Sequence, residues 1–235
     1  MSGIFYDSAN LVEFKKWFDA GILGGATTNP LILQKEGILN VPKHIEKMYE
    51  ICGSEFPISI EVPDSTMSYG EMVNLAIKYD KMFPFNAVIK IPMDCRDSQK
   101  YFKVMKRLVD LEIKVNATLG LAAGQLIAAA EALRGSNESY ISLFWGRCDE
   151  AGGISSEQTL ITVLNYLKTH YLHSKVIIGS IRNIAQINRA FELGAHIVTI
   201  PPKLLNEWMF TQRGVDTADE FNNAYRSVKD KVTLI

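Results

Sequence analysis

Ala87-Val88-Ile89-Lys90-Ile91-Pro92 is an apolar run broken by a single lysine. Its β-branched side chains and its closing proline make it read as a buried strand. Lysine is costly there, because desolvation disfavours the ammonium, which must find a carboxylate or give up its proton. A neutral amine at the end of a barrel strand is a nucleophile for Schiff-base chemistry on a carbonyl. The alternative is a purely structural ion pair with Glu61 on the neighbouring strand.

Working outward, apolar strands alternate with helical stretches along the whole chain. The strands read Ile4–Tyr6, Gly24–Thr27, Ile58–Glu61, Ala87–Ile91, Lys114–Ala117, Tyr140–Phe144, Lys175–Gly179 and His196–Ile200. Between them, Leu11–Ala20, Ser98–Leu111, Leu121–Arg134 and Ile184–Leu193 repeat apolar residues at intervals of three and four, the spacing of an amphipathic helix. Eight such units in 235 residues predict an α/β fold, a single (β/α)8 TIM barrel. An open doubly wound sheet is second choice, since no Gly-x-Gly-x-x-Gly turn follows a strand. No low-complexity linker divides residues 1–235, so one domain is expected. It includes a C-terminal helical segment over about 203–235, with an extra helix near Thr217–Ser227.

Composition excludes several classes. Hydrophobic residues make up 47% and charged ones 22%, with a formal net charge of -1, so nucleic acid and anionic membranes find no electrostatic footprint. No stretch reaches transmembrane length, and Met1-Ser2-Gly3 lacks the basic start of a signal peptide. Cys52, Cys95 and Cys148 are odd in number and far apart, which suits free thiols in a reducing cytoplasm. His44, His170, His173 and His196 lack metal-ligand spacing, and His170 with His173 reads as a solvated helix end.

Barrel enzymes build their sites at the C-terminal ends of the strands. Here those ends carry Asp7, then Thr27-Thr28-Asn29-Pro30, Glu61, Lys90, Asn116 with Thr118, Ser142 with Phe144 and Arg147, and Ser180 with Arg182. The period of two puts Ser59 with Glu61, Val88 with Lys90, Asn116 with Thr118, and Ser142 with Phe144 on common faces. Seven of eight strands thus bring a polar group to one mouth. Asp7 and Glu61 are the acid/base candidates, although Asp7 also suits the cap of the helix that follows. Asn29, Asn116, Thr118 and Ser142 suit a polyhydroxylated chain, whereas Asn29-Pro30 is also an ordinary turn pair. Arg147, Ser180 and Arg182 suggest a phosphate site ahead of a helix N-terminus, against the alternative of arginines pairing with Asp149 or Glu150. Trp17 reads as core packing.

Six segments in order resemble the transaldolase family. They are Phe5-Tyr6-Asp7-Ser8-Ala9-Asn10, Gly25-Ala26-Thr27-Thr28-Asn29-Pro30, Val88-Ile89-Lys90-Ile91-Pro92-Met93, Val115-Asn116-Ala117-Thr118-Leu119, Ile141-Ser142-Leu143-Phe144-Trp145-Gly146-Arg147 and Gly179-Ser180-Ile181-Arg182-Asn183. The size is similar to the short subgroup that also holds fructose-6-phosphate aldolases. The resemblance implies that Lys90 forms the imine, Asp7 exchanges the proton of carbon–carbon cleavage, and Glu61 and Thr118 hold a proton-shuttling water. It implies Asn29, Asn116 and Ser142 on the dihydroxyacetone hydroxyls and Arg147, Ser180 and Arg182 on a sugar phosphate, without metal or organic cofactor. Glu61 and Phe144 match the transferase members, where the aldolase pattern has glutamine and tyrosine. A simple aldolase releasing dihydroxyacetone, or a non-catalytic sugar-phosphate-binding barrel, are the competing readings. Gly120–Gln125, Leu143, Trp145 and Gly135–Glu138 depart from the pattern and bear on acceptor preference. A homo-oligomer joined through the C-terminal helix is implied as well, with Trp208, Met209, Phe210, Phe221 and Tyr225 as its apolar face; packing of that segment on its own barrel is the alternative.

Overall fold

The computed structural model describes residues 3–84, 86–229, 231 and 233. The chain runs β1 (Ile4–Asp7), α1 (Leu11–Asp19), β2 (Gly25–Thr27), α2 (Pro30–Lys35), α3 (Val41–Cys52), β3 (Ile58–Glu61), α4 (Tyr69–Met82) and β4 (Ala87–Pro92). It continues through α5 (Ser98–Asp110), β5 (Val115–Gly120), α6 (Ala123–Ala132), β6 (Ser139–Phe144), α7 (Trp145–Ala151) and α8 (Ser156–Thr169). The last elements are β7 (Lys175–Gly179), α9 (Ile184–Glu192), β8 (Ile197–Ile200), α10 (Pro202–Met209) and α11 (Gln212–Val228). All strands are parallel and pair in chain order, with β8 returning to β1, so the sheet closes into the expected eight-stranded barrel.

Strand alternation divides the buried side chains into two sets. Tyr6, Ala26, Ile60, Ile89, Ile91, Ile141, Val176, Ile178 and Val198 face outward into the layer between barrel and helices. Phe5, Val88, Tyr140, Ile177 and Ile197 point inward and form a separate apolar floor. The Phe5 ring occupies the space that any side chain at Gly25 would need, which is why β2 carries a glycine there. On β1 to β6 and on β8 the inward positions also include a polar residue: Asp7, Thr27, Ser59, Lys90, Asn116, Ser142 and Thr199. The floor therefore closes one end with apolar packing while the other end supplies chemistry.

Two expected boundaries move by more than two residues. β5 runs on to Gly120 through a register shift between Ala117 and Gly120, where Leu119 takes a left-handed φ of 68°. The last helix begins at Gln212, ahead of Thr217, because Thr211 caps it by accepting from the Gly214 amide at 3.0 Å. The end of the 203–235 segment lies partly outside the described residues. Trp17 packs against the core while remaining partly exposed. No helix among the described residues is long and apolar enough to cross a membrane.

Candidate active site

Short caps free the strand ends for other work. Asn10, not Asp7, caps α1, its side chain accepting from the amides of Val12 and Glu13 at 3.1 and 3.0 Å. Asp7 is left to face the barrel interior, where Thr27 Oγ1 donates to its Oδ1 at 2.7 Å. Burial pushes the Asp7 pKa above the usual carboxylate range. The Thr27 hydrogen bond and the charges of Lys90 and Arg182 pull it down, and Glu61 pushes it up. Asn29 caps α2 through the Ile32 amide at 2.9 Å, with Pro30 in the first helical turn, so the Asn-Pro pair is also a helix start.

Lys90 is 4% exposed. Its Nζ donates to the Thr28 carbonyl at 2.8 Å and stands 2.9 Å from Glu61 Oε2. Strand register explains the second contact, since Glu61 and Lys90 are direct partners across β3 and β4. The Glu61 contact is an ion pair by distance but lies off the hydrogen-bonding angle, and Glu61 Oε2 has no hydrogen-bond partner among the described residues. The Thr118 hydroxyl, on β5 opposite Pro92, is likewise buried without one. Two buried polar atoms, one on each of the strands beside β4, thus keep bonding capacity in hand.

Deeper in the barrel, Ser142 Oγ donates to Asn116 Oδ1 at 2.7 Å, and Asn116 Nδ2 donates to Ser59 Oγ at 3.3 Å. This chain fixes the orientation of the Asn116 amide, presenting its remaining hydrogen in one direction. Phe144 ends β6, partly exposed and near Gly179.

The arginines expected at the mouth converge on one carboxylate. Arg182 Nε donates to Glu150 Oε1 at 2.9 Å, while Arg147 Nη1 lies 3.4 Å from Glu150 Oε2. Of the two carboxylates weighed as partners, Glu150 is the one used; Asp149 instead accepts from Ser156 and Gln186. Ser180 holds a left-handed φ of 60°, and its carbonyl accepts from the Gly146 amide and from Arg182 Nη1, each at 3.1 Å. A Cβ at Gly146 would strike that carbonyl, so only glycine lets α7 approach the loop. Asn183 then caps α9 through the Gln186 amide, and Gln186 Oε1 accepts from the Arg182 amide at 2.7 Å.

Sequence reasoning assigns no role to Thr199 or Gly146. Strand eight was given no polar contribution, yet Thr199 faces inward and meets Thr27 Oγ1 at 2.6 Å. Alternation from Ile197 was the signal that pointed to it.

An amine buried beside a carboxylate, a second, partly buried carboxyl group and two arginines sharing Glu150 gather around one barrel mouth, an arrangement that suits an enzyme acting on carbonyl compounds. The comparisons with known proteins make this specific. The model of the family described as transaldolase/fructose-6-phosphate aldolase matches residues 4–233, and the chain belongs to that family. A protein named "Probable transaldolase" from Clostridium kluyveri is 35% identical over 233 residues, covering 97% of this chain and 99% of that protein. Another of that name from Clostridioides difficile is 32% identical, covering 91% of this chain and 93% of its own length. Among solved structures, a chain from Burkholderia cenocepacia J2315 aligns with a TM-score of 0.58 at 12% identity, covering 99% of this chain and 84% of that one, a likeness of fold alone.

Proposed function

We propose that this protein is a transaldolase, moving a dihydroxyacetone unit from sedoheptulose 7-phosphate or fructose 6-phosphate to glyceraldehyde 3-phosphate or erythrose 4-phosphate. The observation that carries this reading is the Lys90 amine, buried 2.9 Å from Glu61 in a family whose relatives bear the transaldolase name. Lys90 attacks the ketose C2 carbonyl to give a carbinolamine, and water leaves to form an iminium ion. Glu61 and Thr118, with their free bonding capacity, handle the protons of that step. The Asp7 carboxylate takes the proton of the C4 hydroxyl as the C3–C4 bond breaks, which releases an aldose and leaves an enamine on Lys90. The enamine attacks the acceptor aldehyde, protonated Asp7 returns its proton to the new hydroxyl, and hydrolysis frees the amine. Asn116 and Ser142 bind the hydroxyls of the three-carbon unit, with Asn29 at the rim. Arg147, Ser180 and Arg182 bind the phosphate, which takes over from Glu150 as anionic partner of both guanidinium groups.

Two tests bear directly on this. Borohydride trapping with fructose 6-phosphate, followed by mass spectrometry, is expected to place a ketose adduct on Lys90; an adduct elsewhere, or none, defeats the enzyme reading. Fructose 6-phosphate cleavage is expected to need an aldehyde acceptor, since Phe144 has no hydroxyl to protonate the departing three-carbon unit. Rapid release of dihydroxyacetone without an acceptor would make the protein an aldolase.

The assembly we propose is a homo-oligomer joined through α11. This helix buries none of its side chains on its own chain, yet carries Phe221, Tyr225 and Val228 exposed at i, i+4 and i+7 on one face. A helix with one apolar stripe is stable when that stripe is covered. The full chain is expected to sediment as an oligomer that dissociates when the chain stops before Gln212; a monomeric full chain at micromolar concentration overturns this.

A further inference from the structure

We propose that Thr199 is a positioning residue for the acid/base group: from β8 it donates its hydroxyl hydrogen to Thr27, and so holds the Thr27 hydroxyl on the Asp7 carboxylate. The inference rests on the reading of Asp7 as the proton carrier of the reaction and adds a residue that touches no reacting atom.

The geometry begins with barrel closure. β1 lies between β2 and β8, with Asp7 opposite Thr27 on one side and Phe5 opposite Thr199 on the other. Both threonines point inward and meet next to Asp7, with Oγ1 atoms 2.6 Å apart. Thr27 Oγ1 lies 2.7 Å from Asp7 Oδ1. Both side chains are buried, so water does not compete for either hydroxyl.

Donor counting then sets the direction. A carboxylate only accepts, and each hydroxyl has one hydrogen. With Asp7 ionised, the Thr27 hydrogen goes to Asp7 Oδ1 and the Thr199 hydrogen goes to Thr27 Oγ1, leaving no hydrogen idle. With Asp7 protonated on Oδ1 the chain must reverse. Asp7 then donates to Thr27 and Thr27 to Thr199, whose own hydrogen has no further hydrogen-bond acceptor among the described residues. The chain of two hydroxyls therefore favours the carboxylate, against the burial that disfavours it. The charged groups facing Asp7 are Lys90 from β4 and Arg182 from the loop after β7, which favour its ionisation, and Glu61 from β3, which opposes it. Thr199 acts without adding charge to this set, so it tunes Asp7 while leaving the attraction for an anionic substrate unchanged.

The test is a carboxyl-carbon NMR titration of aspartate-labelled protein, with the Asp7 resonance assigned by its loss in Asp7→Asn. Thr199→Val keeps the shape and removes the hydroxyl, Thr199→Ser keeps the hydroxyl, and Thr199→Ala is a second hydroxyl-free variant should valine perturb packing. Valine and alanine are expected to move the Asp7 midpoint to higher pH by about half a unit or more, with serine staying close to the parent. The acid limb of kcat/KM is expected to move in step. A valine variant titrating with the parent overturns the proposal, as does an equal shift in valine and serine, which would make the effect one of packing. Trapping on Lys90 in the parent is scored separately: its failure sinks the reaction, whereas the NMR midpoint alone judges the Thr199 chain.

Discussion

Replacing Lys90 with methionine separates the two things this residue does. The substitution keeps an unbranched side chain of similar length in the barrel but deletes the ammonium, its bond to the Thr28 carbonyl and its contact with Glu61. Breaking a buried pair by removing one partner costs about 3–5 kcal/mol, because the other charge stays behind unpaired. The Glu61 side chain is 15% exposed, so some solvent reaches the stranded carboxylate and the lower end, about 3 kcal/mol, is expected. For a domain of this size each kcal/mol is worth about 2–4 °C, which places Lys90→Met roughly 6–12 °C below the parent at pH 8. Adding Glu61→Gln to Lys90→Met removes the buried charge and restores part of the loss at pH 8. Calorimetry of the parent, both single variants and the double variant closes the cycle, with borohydride trapping as the parallel readout. A Lys90→Met variant melting with the parent at pH 8 would show that the pair carries no weight in this fold. A variant that still traps ketose would show that the imine forms elsewhere.

Other substitutions test the rest of the mouth. Asp7→Asn is expected to lower turnover by at least about 100-fold. Because burial raises the Asp7 pKa, the folded chain binds that proton more readily than the unfolded one, and ionised Asp7 costs stability above its folded value. The asparagine variant should therefore melt higher than the parent at pH 8, with the gap closing below about pH 4, where Asp7 is protonated in both states; a lower melting temperature at pH 8 would contradict this. Arg182→Ala removes a charge-assisted bond to phosphate worth about 1.5–3 kcal/mol, so KM for a phosphorylated acceptor should rise about 10- to 100-fold while an unphosphorylated aldehyde is little affected. Equal effects on both acceptors would move the phosphate elsewhere. Gly146→Ala drives a methyl group into the Ser180 carbonyl and should cost about 1–3 kcal/mol in unfolding while raising KM for phosphorylated substrates. Unchanged melting and KM would show that the loop yields freely.

The amino-acid sequence by itself determined the barrel, the inward face of each strand and the buried lysine. These are local properties: alternation assigns Val88 and Lys90 to one side and Ile89 and Ile91 to the other before any partner strand is known. The cap of α1 was legible in kind but not in position, because Asp7, Ser8 and Asn10 all have the chemistry of a cap and only backbone geometry chose Asn10. Tertiary structure alone decided which polar groups meet. Thr27 and Thr199 are 172 residues apart in sequence and touch only because β8 closes against β1. Arg182 reaches across from the β7–α9 loop to Glu150 in α7, at a separation of 32 residues, because Gly146 allows those two elements to approach. Periodicity tells a strand which way each side chain points; barrel closure and the approach of loops tell it what that side chain will find.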